Sequence, residues 1–359
     1  MSKRIHIVSF DVPSPADYGG VIDVFSRVKW FSENGWDIIL HCFEYKRPRA
    51  KELEKYTEVH YYKRPGGVKY WFSKTPFIVN TRINKELEKI LKNTKDEVLL
   101  EGLHCSHYLH LQPGKFYLRT HNIEHEYYAR LAQNASTFKK IFFMSEAKKL
   151  RSYESILAKA KGLLVISKAE LAHFTQINAN SFFVPPYFKT EEMYQLTEPV
   201  VLFQGNLSVE ENDEAAHWIL DNVQPNSEAS FIIAGKNPSE LLRDKCRTQN
   251  VELIQNPSTD EMQLLIDSAR IHLLWTNNSS GLKLKFLNAM ASSGHVICNS
   301  AIVAGSGLSN GFHITDDSKE VLRLVDQLMV LELELKAWEL RQKDIRNEFG
   351  GLSLAKVFP

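Results

Sequence analysis

The sequence has few cysteines, and they lie far apart. Four occur among 359 residues, at Cys42, Cys105, Cys246 and Cys298, and no two of them form a CxxC pair. This scatter argues against a disulfide framework and against a zinc site. Cys42 and Cys298 lie in apolar, strand-like runs, so we predict that both thiols are buried as small apolar side chains.

The sequence also lacks a long apolar run and an excess of charge of one sign. No apolar stretch approaches the roughly 20 residues that a membrane-spanning helix needs, and the N-terminus lacks the apolar core of a signal peptide. The formal net charge is +1, far from the basic excess of a nucleic-acid-binding protein. We therefore expect a cytoplasmic protein with no nucleic-acid partner, in which any basic surface is local.

What the sequence has is a repeated alternation of short apolar runs and helical patterns. A strand is predicted over 4–10 and a helix over 21–34, and a similar alternation resumes with a strand over 200–204. Strands that alternate with helices predict a parallel sheet covered by helices on both faces. The length of the chain suits about two such α/β domains.

Two long helices and one linker are predicted within this alternation. The segments 137–161 and 319–349 have helical patterns throughout. The polar segment 185–199 contains three prolines, which disfavour both helix and central strand, and it is the predicted linker.

Open α/β domains bind ligands at the carboxyl ends of their strands, and a cleft between two such domains is a natural binding site. Gly19-Gly20 follows the first predicted strand and opens a helix, so backbone N–H groups there could approach an anion. A tight turn without a ligand would use the same residues. No GxGxxG motif is present, so nicotinamide or flavin binding is not expected.

A polar run follows the strand predicted over 116–120. It contains His121, Asn122, Glu124 and His125. The imidazoles of the two histidines could donate a hydrogen bond to a sugar hydroxyl or act as acid and base. A capping and turn cluster is the alternative. A metal site is not expected, because the run begins in a predicted loop, where the spacing of the histidines carries no information. The chain also lacks the Asp-x-Asp motif that would bind a divalent ion.

A second polar segment opens the helix that follows the strand ending near residue 275. Gly281, Leu282, Lys283 and Lys285 lie at the start of this helix, and Asn288 lies one turn later. Two lysines beside free N–H groups at a helix start would bind a diphosphate without a metal. Two solvated lysines on a helix face are the alternative.

Two glycine-containing turns follow other predicted strands of the second half. Gly205-Asn206 ends the first of these strands, and Gly235-Lys236 ends another. Both turns are expected at the carboxyl edge of the sheet, where they either line the binding site or simply reverse the chain.

Two segments, 60–72 and 139–151, combine basic residues with aromatic or apolar ones. The second has the pattern of a basic, partly amphipathic helix, and together they could contact an anionic membrane surface. A solvated loop and an ordinary surface helix are the alternative.

These motifs, in this order, resemble the family 4 retaining glycosyltransferases, which have the GT-B fold of two Rossmann-like domains facing a central cleft. The resemblance covers nearly the whole chain, including the Gly-Gly loop, the histidine cluster and the segments 205–215, 233–237 and 281–296. The motif over residues 9–21 is similar to that of a bacterial subgroup of the family.

The resemblance implies how the chain is divided and what each part binds. The N-terminal domain, 1–186, would hold a saccharide or lipid-linked acceptor, and the C-terminal domain, 187–335, would hold a nucleotide-sugar donor. The segment 336–359 would pack back on the N-terminal domain. The sugar would be transferred with retention of configuration, without a cofactor or an essential metal, in the synthesis of cell-surface glycans.

The resemblance also implies roles for single residues. Gly19 and Gly20 would approach the donor phosphates or the reacting sugar, and His121 would contact the transferred sugar. Lys283 and Lys285 would neutralise the diphosphate leaving group. The other implied contacts are, on the donor, Gly205, Asn206, Gly235, Lys236, Gly281, Leu282 and Asn288, and, on the acceptor, Asn122, Glu124 and His125.

Three positions depart from the family pattern. Asn206 and Glu211 stand where the family usually has Arg and Lys, and Asn288 replaces the Glu that binds the ribose. The nucleotide-sugar donor is therefore either bound by other residues or no longer used. Two alternatives to sugar transfer stay open. One is a nucleotide-sugar 2-epimerase with Glu101 and Glu124 as acid and base, and the other is a non-catalytic binding subunit.

Overall fold

The computed structural model describes residues 3–16, 19–45, 47–133, 135–190, 193–279 and 282–359. The predicted donor-site residue Gly281 lies outside these ranges. The chain divides into two compact units: unit 1 comprises Met1–Tyr187 with Ser353–Pro359, and unit 2 comprises Phe188–Leu352.

Unit 1 contains a seven-stranded parallel sheet. Its strands are β1 (Arg4–Ser9), β2 (Asp37–Glu44), β3 (Glu58–Lys63), β4 (Glu97–Glu101), β5 (Tyr117–Thr120), β6 (Gly162–Val165) and β7 (Ser181–Phe183). They lie in the order β3-β2-β1-β4-β5-β6-β7. Alternate side chains face opposite apolar clusters, Ile7 and Leu99 on one side and Val8 and Leu100 on the other. Both faces of the sheet are therefore buried, as in other parallel sheets.

Helices cover both faces of this sheet. They are α1 (Gly19–Glu33), α2 (Phe77–Asn80), α3 (Lys85–Asn93), α4 (Glu124–Gln133), α5 (Thr137–Tyr153) and α6 (Lys168–Ile177). Short 3₁₀ helices occur at Lys51–Lys55, Val68–Phe72, Leu103–His110 and Glu154–Lys159. The side chain of Asn84 caps α3 by accepting hydrogen bonds from the N–H groups of Glu86 and Leu87, which satisfies two donors that the helix itself leaves without a partner.

Unit 2 contains a six-stranded parallel sheet. Its strands are β8 (Glu198–Asn206), β9 (Ser230–Lys236), β10 (Glu252–Gln255), β11 (Ala269–Leu274), β12 (His295–Cys298) and β13 (His313–Ile314). They lie in the order β10-β9-β8-β11-β12-β13. The change of direction between β8 and β11 puts the carboxyl ends of these two strands side by side, at the position where such sheets bind ligands.

The helices of unit 2 pack on both faces of its sheet. They are α7 (Glu210–Asn222), α8 (Glu240–Thr248), α9 (Thr259–Ser268), α10 (Leu284–Ala291), α11 (Ser300–Val303), α12 (Ser318–Met329) and α13 (Leu335–Phe349). One apolar cluster of the unit is formed mainly by β8, β9, β11, α7 and α12, and another by α10, β12 and α13. The fold expected from the sequence, two α/β units with parallel sheets, is therefore confirmed.

The long helix predicted over 319–349 is two helices, α12 and α13. Between them, Glu332 accepts hydrogen bonds from Arg270 at 2.5 Å and from the hydroxyl of Thr197 at 2.7 Å. These contacts fix a non-helical backbone that the local pattern does not predict. The helix predicted over 137–161 likewise ends early, since α5 is followed by a 3₁₀ helix, and α2, α3, β7 and β13 were not predicted.

The end of the chain returns to unit 1 later than the predicted range 336–359. Helix α13 packs within unit 2, where Trp338 donates a hydrogen bond to the backbone of α10 at 3.3 Å. The return is made by α14 (Leu352–Val357). Leu354 of this helix and Phe358 just after it are buried in an apolar cluster of unit 1. Among the described residues, no helix combines the length and the apolar character needed to cross a bilayer.

Candidate functional site

Five charged or titratable side chains form a buried cluster, called here the charged cluster, in unit 1. Asp23 and Arg27 lie one turn apart on α1, Glu101 ends β4, Arg119 lies in β5 and His121 follows it. The topology brings them together because β1, β4 and β5 are neighbours and Glu101 is the register partner of Arg119. The cluster therefore lies at the carboxyl edge of the sheet, where ligands bind in this class of fold.

The members of the charged cluster contact one another directly. Arg119 donates two hydrogen bonds to Asp23, at 2.9 and 3.0 Å. Arg27 donates two to Glu101, at 2.5 and 3.0 Å, and its third nitrogen lies 2.7 Å from Asp23. His121 completes the cluster, with Nε2 3.2 Å from Glu101 and Nδ1 3.6 Å from Asp23.

Opposite charges keep both carboxylates of the charged cluster ionised. Burial raises the pKa of Asp23, but Arg119 and Arg27 outweigh this effect and hold that pKa well below its usual value. Burial also raises the pKa of Glu101, and Arg27 and His121 together reverse the shift. The pairing thus offsets the cost of burying four charges, and removal of any one would leave an uncompensated charge in the interior.

His121 has the most exposed side chain of the charged cluster, at 9 %. Both of its ring nitrogens face a carboxylate, which fixes the orientation of the imidazole. Its ring also contacts Phe10 edge-on, with the centroids 5.3 Å apart. Gly102 lies alongside with φ at +71°, and a Cβ there would be 2.8 Å from the ring of His104. Glycine is therefore required at position 102, in the turn beside the His121 ring.

The other predicted residues of the histidine run lie outside the charged cluster. The run begins in a loop, as predicted, and Glu124 then opens α4. Nδ1 of His125 lies 3.5 Å from the carboxylate of Glu154. Glu154 is not one of the partners of His121. Glu124 is buried, and burial raises its pKa to about 7 although Asn122 donates a hydrogen bond that lowers it. The run thus supplies one residue to the cluster and a separate, readily protonated carboxyl group.

Gly19 and Gly20 form the first turn of α1, on which Asp23 and Arg27 lie. Gly19 is exposed, and a Cβ there would meet no atom within 4 Å. The first turn of a helix has N–H groups without intrahelical partners, so this turn can accept an anion. The preceding residues, Asp17 and Tyr18, lie outside the described part of the chain.

In unit 2, Lys283 occupies the N-cap position of α10 and contacts Glu211 of α7. The ammonium nitrogen of Lys283 lies 3.0 Å from the Glu211 carboxylate. The same carboxylate accepts hydrogen bonds from the Thr276 hydroxyl at 2.5 Å and from the Asn278 amide at 3.0 Å. Three donors from the loop after β11 and from the start of α10 therefore converge on one anionic group.

An aromatic stack fixes the loop that carries two of these donors. Trp275 at the start of the loop stacks on Trp218 of α7, with the ring centroids 3.4 Å apart and the planes at 9°. Aromatic contacts of this kind bury a large apolar area in a fixed geometry. The stack holds the loop against the helix that carries Glu211 and so preorganises the donors.

Lys285 occupies the first turn of α10 and is partly buried. It donates a hydrogen bond to the Asn212 amide oxygen at 2.9 Å, and its ammonium lies 5.1 Å from the centre of the Phe203 ring. Burial lowers the pKa of Lys285 to about 8, with Glu211 opposing the shift. This lysine therefore carries most of a positive charge at neutral pH and loses it under mildly alkaline conditions.

The two predicted glycine turns of unit 2 lie side by side at the ends of β8 and β9. A Cβ on Gly235 would lie 1.9 Å from the carbonyl oxygen of Gly205, so glycine is obligatory there. The side chain of Asn212 packs on Gly205 and donates a hydrogen bond to the backbone of Asn206 at 3.0 Å. Lys236 is exposed at the end of β9. The turns thus lie next to the partner of Lys285.

Two further predicted donor-binding residues lie on or beside α10. Leu282 packs, partly buried, against the apolar cluster that includes α10. Asn288 is partly buried one turn after Lys285. Its position on the same helix as both lysines is consistent with the predicted contact to the donor.

Asp23, Arg27 and Arg119 were not predicted as site residues. The available signal was charge within apolar segments, since Asp23 and Arg27 lie at i and i+4 among the apolar residues of α1 and Arg119 lies inside a buried strand. Asn212 was likewise not predicted as the partner of Lys285. That contact joins residues 73 positions apart and has no local signal.

Asp23, Glu101 and His121 offer ligand atoms within 4.8 Å of one another, a spacing that can hold a metal ion. Arg27 and Arg119 already neutralise both carboxylates, however, so an added cation would meet two guanidinium groups. The charged cluster fits an ion-pair network better than a metal site.

Comparison with known families gives a match in unit 2. The family model described as "Glycosyl transferases group 1" matches residues 198–330. This range runs from the first residue of β8 to just beyond α12, and it includes Glu211, Lys283 and Lys285.

One curated relative matches most of the chain. It is an "uncharacterized 44.6 kDa protein in cps region" of Klebsiella pneumoniae, 30 % identical over 351 residues, which cover 89 % of this chain and 88 % of the relative. Both units therefore have counterparts in this relative.

Two solved structures share the architecture of the whole chain. Sucrose-phosphate synthase from Thermosynechococcus elongatus has a TM-score of 0.67 at 12 % identity, covering 99 % of this chain and 98 % of that one. The Anabaena protein HepE, in complex with UDP and glucose, has a TM-score of 0.64 at 11 % identity and the same coverage. These likenesses show the fold alone, which is the GT-B fold.

Proposed function

We propose that the chain is a group 1 glycosyl transferase, because residues 198–330 match the model of that family and the whole chain has the GT-B fold, and we propose which substrates and residues it uses. A nucleoside diphosphate sugar would bind to unit 2, and a saccharide or lipid-linked acceptor would bind to unit 1. The observation that carries the proposal is the pair of lysines at the start of α10. Lys283 and Lys285 lie in a partly buried site with preorganised hydrogen-bond donors, which suits the charge of a diphosphate.

The proposed reaction is direct transfer with retention. The acceptor hydroxyl attacks the anomeric carbon, the bond from that carbon to the diphosphate oxygen breaks, and the hydroxyl proton passes to the departing diphosphate. Attack on the face from which the diphosphate leaves gives retention and requires no nucleophilic side chain. Glu211 is a poor nucleophile, because three donors already hold its carboxylate.

The charge on the leaving group would be stabilised without an essential metal. The ammonium groups of Lys283 and Lys285 and the N–H groups of the first turn of α10 supply fixed positive potential. In unit 1, His121, with both ring nitrogens facing carboxylates, would contact the transferred sugar with its ring. Glu124, with its pKa of about 7, is suited to a proton exchange with the acceptor.

The epimerase alternative has less support from the geometry. It needs carboxylates that exchange protons with the sugar, but Glu101 is paired with Arg27 and His121. The remaining candidate, Glu124, lies outside the charged cluster. The alternative of a binding subunit rests on Asn206, Glu211 and Asn288. Of these, Glu211 reduces the positive charge available at Lys283.

We expect a screen of the full chain against nucleoside diphosphates and their sugars to identify at least one ligand. At a hundredfold excess over the dissociation constant, binding stabilises the folded state by about 2.7 kcal/mol. This corresponds to a rise of roughly 5–10 °C in Tm for domains of this size, measured by differential scanning fluorimetry.

The same nucleotides separate the alternatives. If none of them raises the Tm, the proposal is contradicted. The remaining alternative is then a non-catalytic subunit that binds another ligand. Epimerised product from the nucleotide sugar alone, without acceptor, would identify an epimerase. Transfer of labelled sugar to a saccharide or lipid-linked acceptor is the expected outcome.

We also propose that unit 1 contacts an anionic membrane surface at the cytoplasmic side. Phe138 and Ile141 on α5 are 89 % and 63 % exposed, and Phe72 on the neighbouring 3₁₀ helix is 84 % exposed. The two elements are joined, since Trp71 packs on Phe142 with the ring centroids 4.8 Å apart. Basic residues surround these side chains, the pattern of a surface that binds anionic lipid.

The name of the Klebsiella pneumoniae relative, a protein in the cps region, supports a role in the synthesis of cell-surface polysaccharide. A membrane-facing unit 1 would bring the proposed acceptor site to the surface where a lipid-linked acceptor lies.

Binding to vesicles tests the membrane contact. Replacing Phe72 and Phe138 together by serine should weaken cosedimentation with vesicles of phosphatidylcholine and phosphatidylglycerol at least about tenfold, because two large apolar side chains are lost. Leu264→Ser, at a position that is 68 % exposed in unit 2, is the matched control. Equal binding by both variants would contradict the proposed contact.

A further inference from the structure

Helix α3 and the 3₁₀ helix Leu103–His110 bring three metal-binding side chains together outside the charged cluster. Glu88 of α3 lies 2.7 Å from Nε2 of His107. The rings of His107 and His110 have their centroids 4.6 Å apart. Side chains at i and i+3 of a 3₁₀ helix eclipse one another, so both imidazoles project from the same side. One ligand atom from each of the three residues lies within 4.8 Å of the other two.

The surroundings of the two histidines suit coordination. His110 donates a hydrogen bond from Nδ1 to the backbone carbonyl of His107, which leaves the lone pair on Nε2. Metal-bound histidines commonly have this arrangement, in which the second nitrogen bonds a carbonyl and fixes the tautomer. Nε2 of His107 already faces the Glu88 carboxylate, so a nitrogen and an oxygen ligand atom are adjacent.

We propose that Glu88, His107 and His110 bind one divalent transition-metal ion of the zinc type. Two imidazoles and a carboxylate, with a remaining position open to solvent, are a ligand set that zinc uses. Magnesium and calcium prefer sites made wholly of oxygen. The proposal is independent of the sugar transfer proposed above.

The geometry requires small adjustments. Tetrahedral zinc with bonds of 2.0–2.2 Å places its ligand atoms roughly 3.3 Å apart. His110 is exposed, and the Glu88 side chain is 29 % exposed, so both can move by that amount through rotation about side-chain bonds. The ring of His107, which is less exposed at 21 %, would serve as the fixed ligand.

A bound ion would join two segments of unit 1. It would link α3 to the 3₁₀ helix that begins two residues after Glu101 of the charged cluster. Binding to the folded state alone stabilises it by mass action. Zinc is therefore expected to raise the Tm of the chain without contact with either proposed substrate.

Isothermal titration of the metal-stripped full chain with zinc chloride tests the site. We expect one tight site, and at least about tenfold weaker binding in His110→Ala and in Glu88→Gln, comparable to the effect of disturbing a metal site. Magnesium chloride should give no binding heat. Melting in the absence of zinc should be unchanged in His110→Ala, because that side chain is exposed.

His60→Ala is the matched control, since His60 and Glu58 form an exposed pair at 2.9 Å elsewhere in unit 1. It should bind zinc as the unmodified chain does. The proposal is overturned if zinc does not bind, if His110→Ala and Glu88→Gln bind it as tightly as the unmodified chain, or if His60→Ala loses binding to the same extent.

Discussion

Replacing both Lys283 and Lys285 by alanine is expected to lower the turnover of sugar transfer at least about a hundredfold. Each lysine is proposed to stabilise charge that develops on the departing diphosphate, and removal of one such contact typically costs about tenfold or more. Both ammonium groups lie at the start of α10, where the helix N-terminus already favours an anion. The two effects should therefore be large and of similar size.

The measurement is kcat with the donor found in the nucleotide screen. Lys319→Ala serves as the control, because Lys319 is an exposed lysine in the first turn of α12, another helix of unit 2. Its turnover should match that of the unmodified chain. Unchanged turnover in the double variant would refute the assignment of the lysines.

The pH dependence separates the role of charge from that of packing. Burial lowers the pKa of Lys285 to about 8, so its positive charge is present below pH 8 and is lost as the pH rises through that value. Affinity for the diphosphate should fall over the same interval. In Lys285→Arg the charge persists, and this loss of affinity should disappear. If the affinity of Lys285→Arg falls with rising pH as that of the unmodified chain does, the titrating group is not Lys285.

Replacing Glu211 by glutamine is expected to tighten binding of the nucleoside diphosphate about tenfold. In the structure the Glu211 carboxylate accepts hydrogen bonds from Thr276, Asn278 and Lys283. These donors are of the kinds that bind phosphate, so the carboxylate competes with the ligand for them. Burial raises the pKa of Glu211, but these three contacts outweigh burial and lower it, so the contacts favour the charged form of the competitor.

Glutamine keeps the shape of the side chain and removes its charge. Titration calorimetry with the diphosphate at several ionic strengths gives the affinity and its electrostatic part. Glu210→Gln is the control, since Glu210 is the exposed neighbour on α7 and should leave the affinity unchanged. Weaker binding in Glu211→Gln would instead mean that the carboxylate holds the ligand, for example through a ribose hydroxyl.

The alternation of strands and helices could be predicted because it depends on local patterns. Apolar runs such as Ile5 to Val8 are buried on both faces of the sheet, and the glycine turns after them mark the carboxyl edge. The predicted positions of Lys283 and Lys285 at a helix start follow from the same local signals. These parts of the fold and of the candidate site need no long-range information.

The partners of the predicted residues could not be predicted from the sequence. Glu211 stood out as a position that lacked the usual lysine, but its contact with Lys283 joins residues 72 positions apart. That contact exists because β8 and β11 are adjacent in the sheet although they are not consecutive. The charged cluster has the same origin, since Asp23 and Arg119 are 96 positions apart. Strand order, which local patterns do not specify, decides which charges meet.

The late return of the chain to unit 1 has a consequence for biosynthesis. Phe358 packs edge-on against Phe31 and Trp36, with ring centroids 5.2 and 6.0 Å away. A ribosome makes these two partners more than three hundred residues before Phe358. Unit 2 is continuous in the sequence, whereas Met1–Tyr187 of unit 1 leave an apolar surface uncovered until Ser353–Pro359 are made. The half of the protein that is translated first therefore needs residues translated after unit 2 to complete its core.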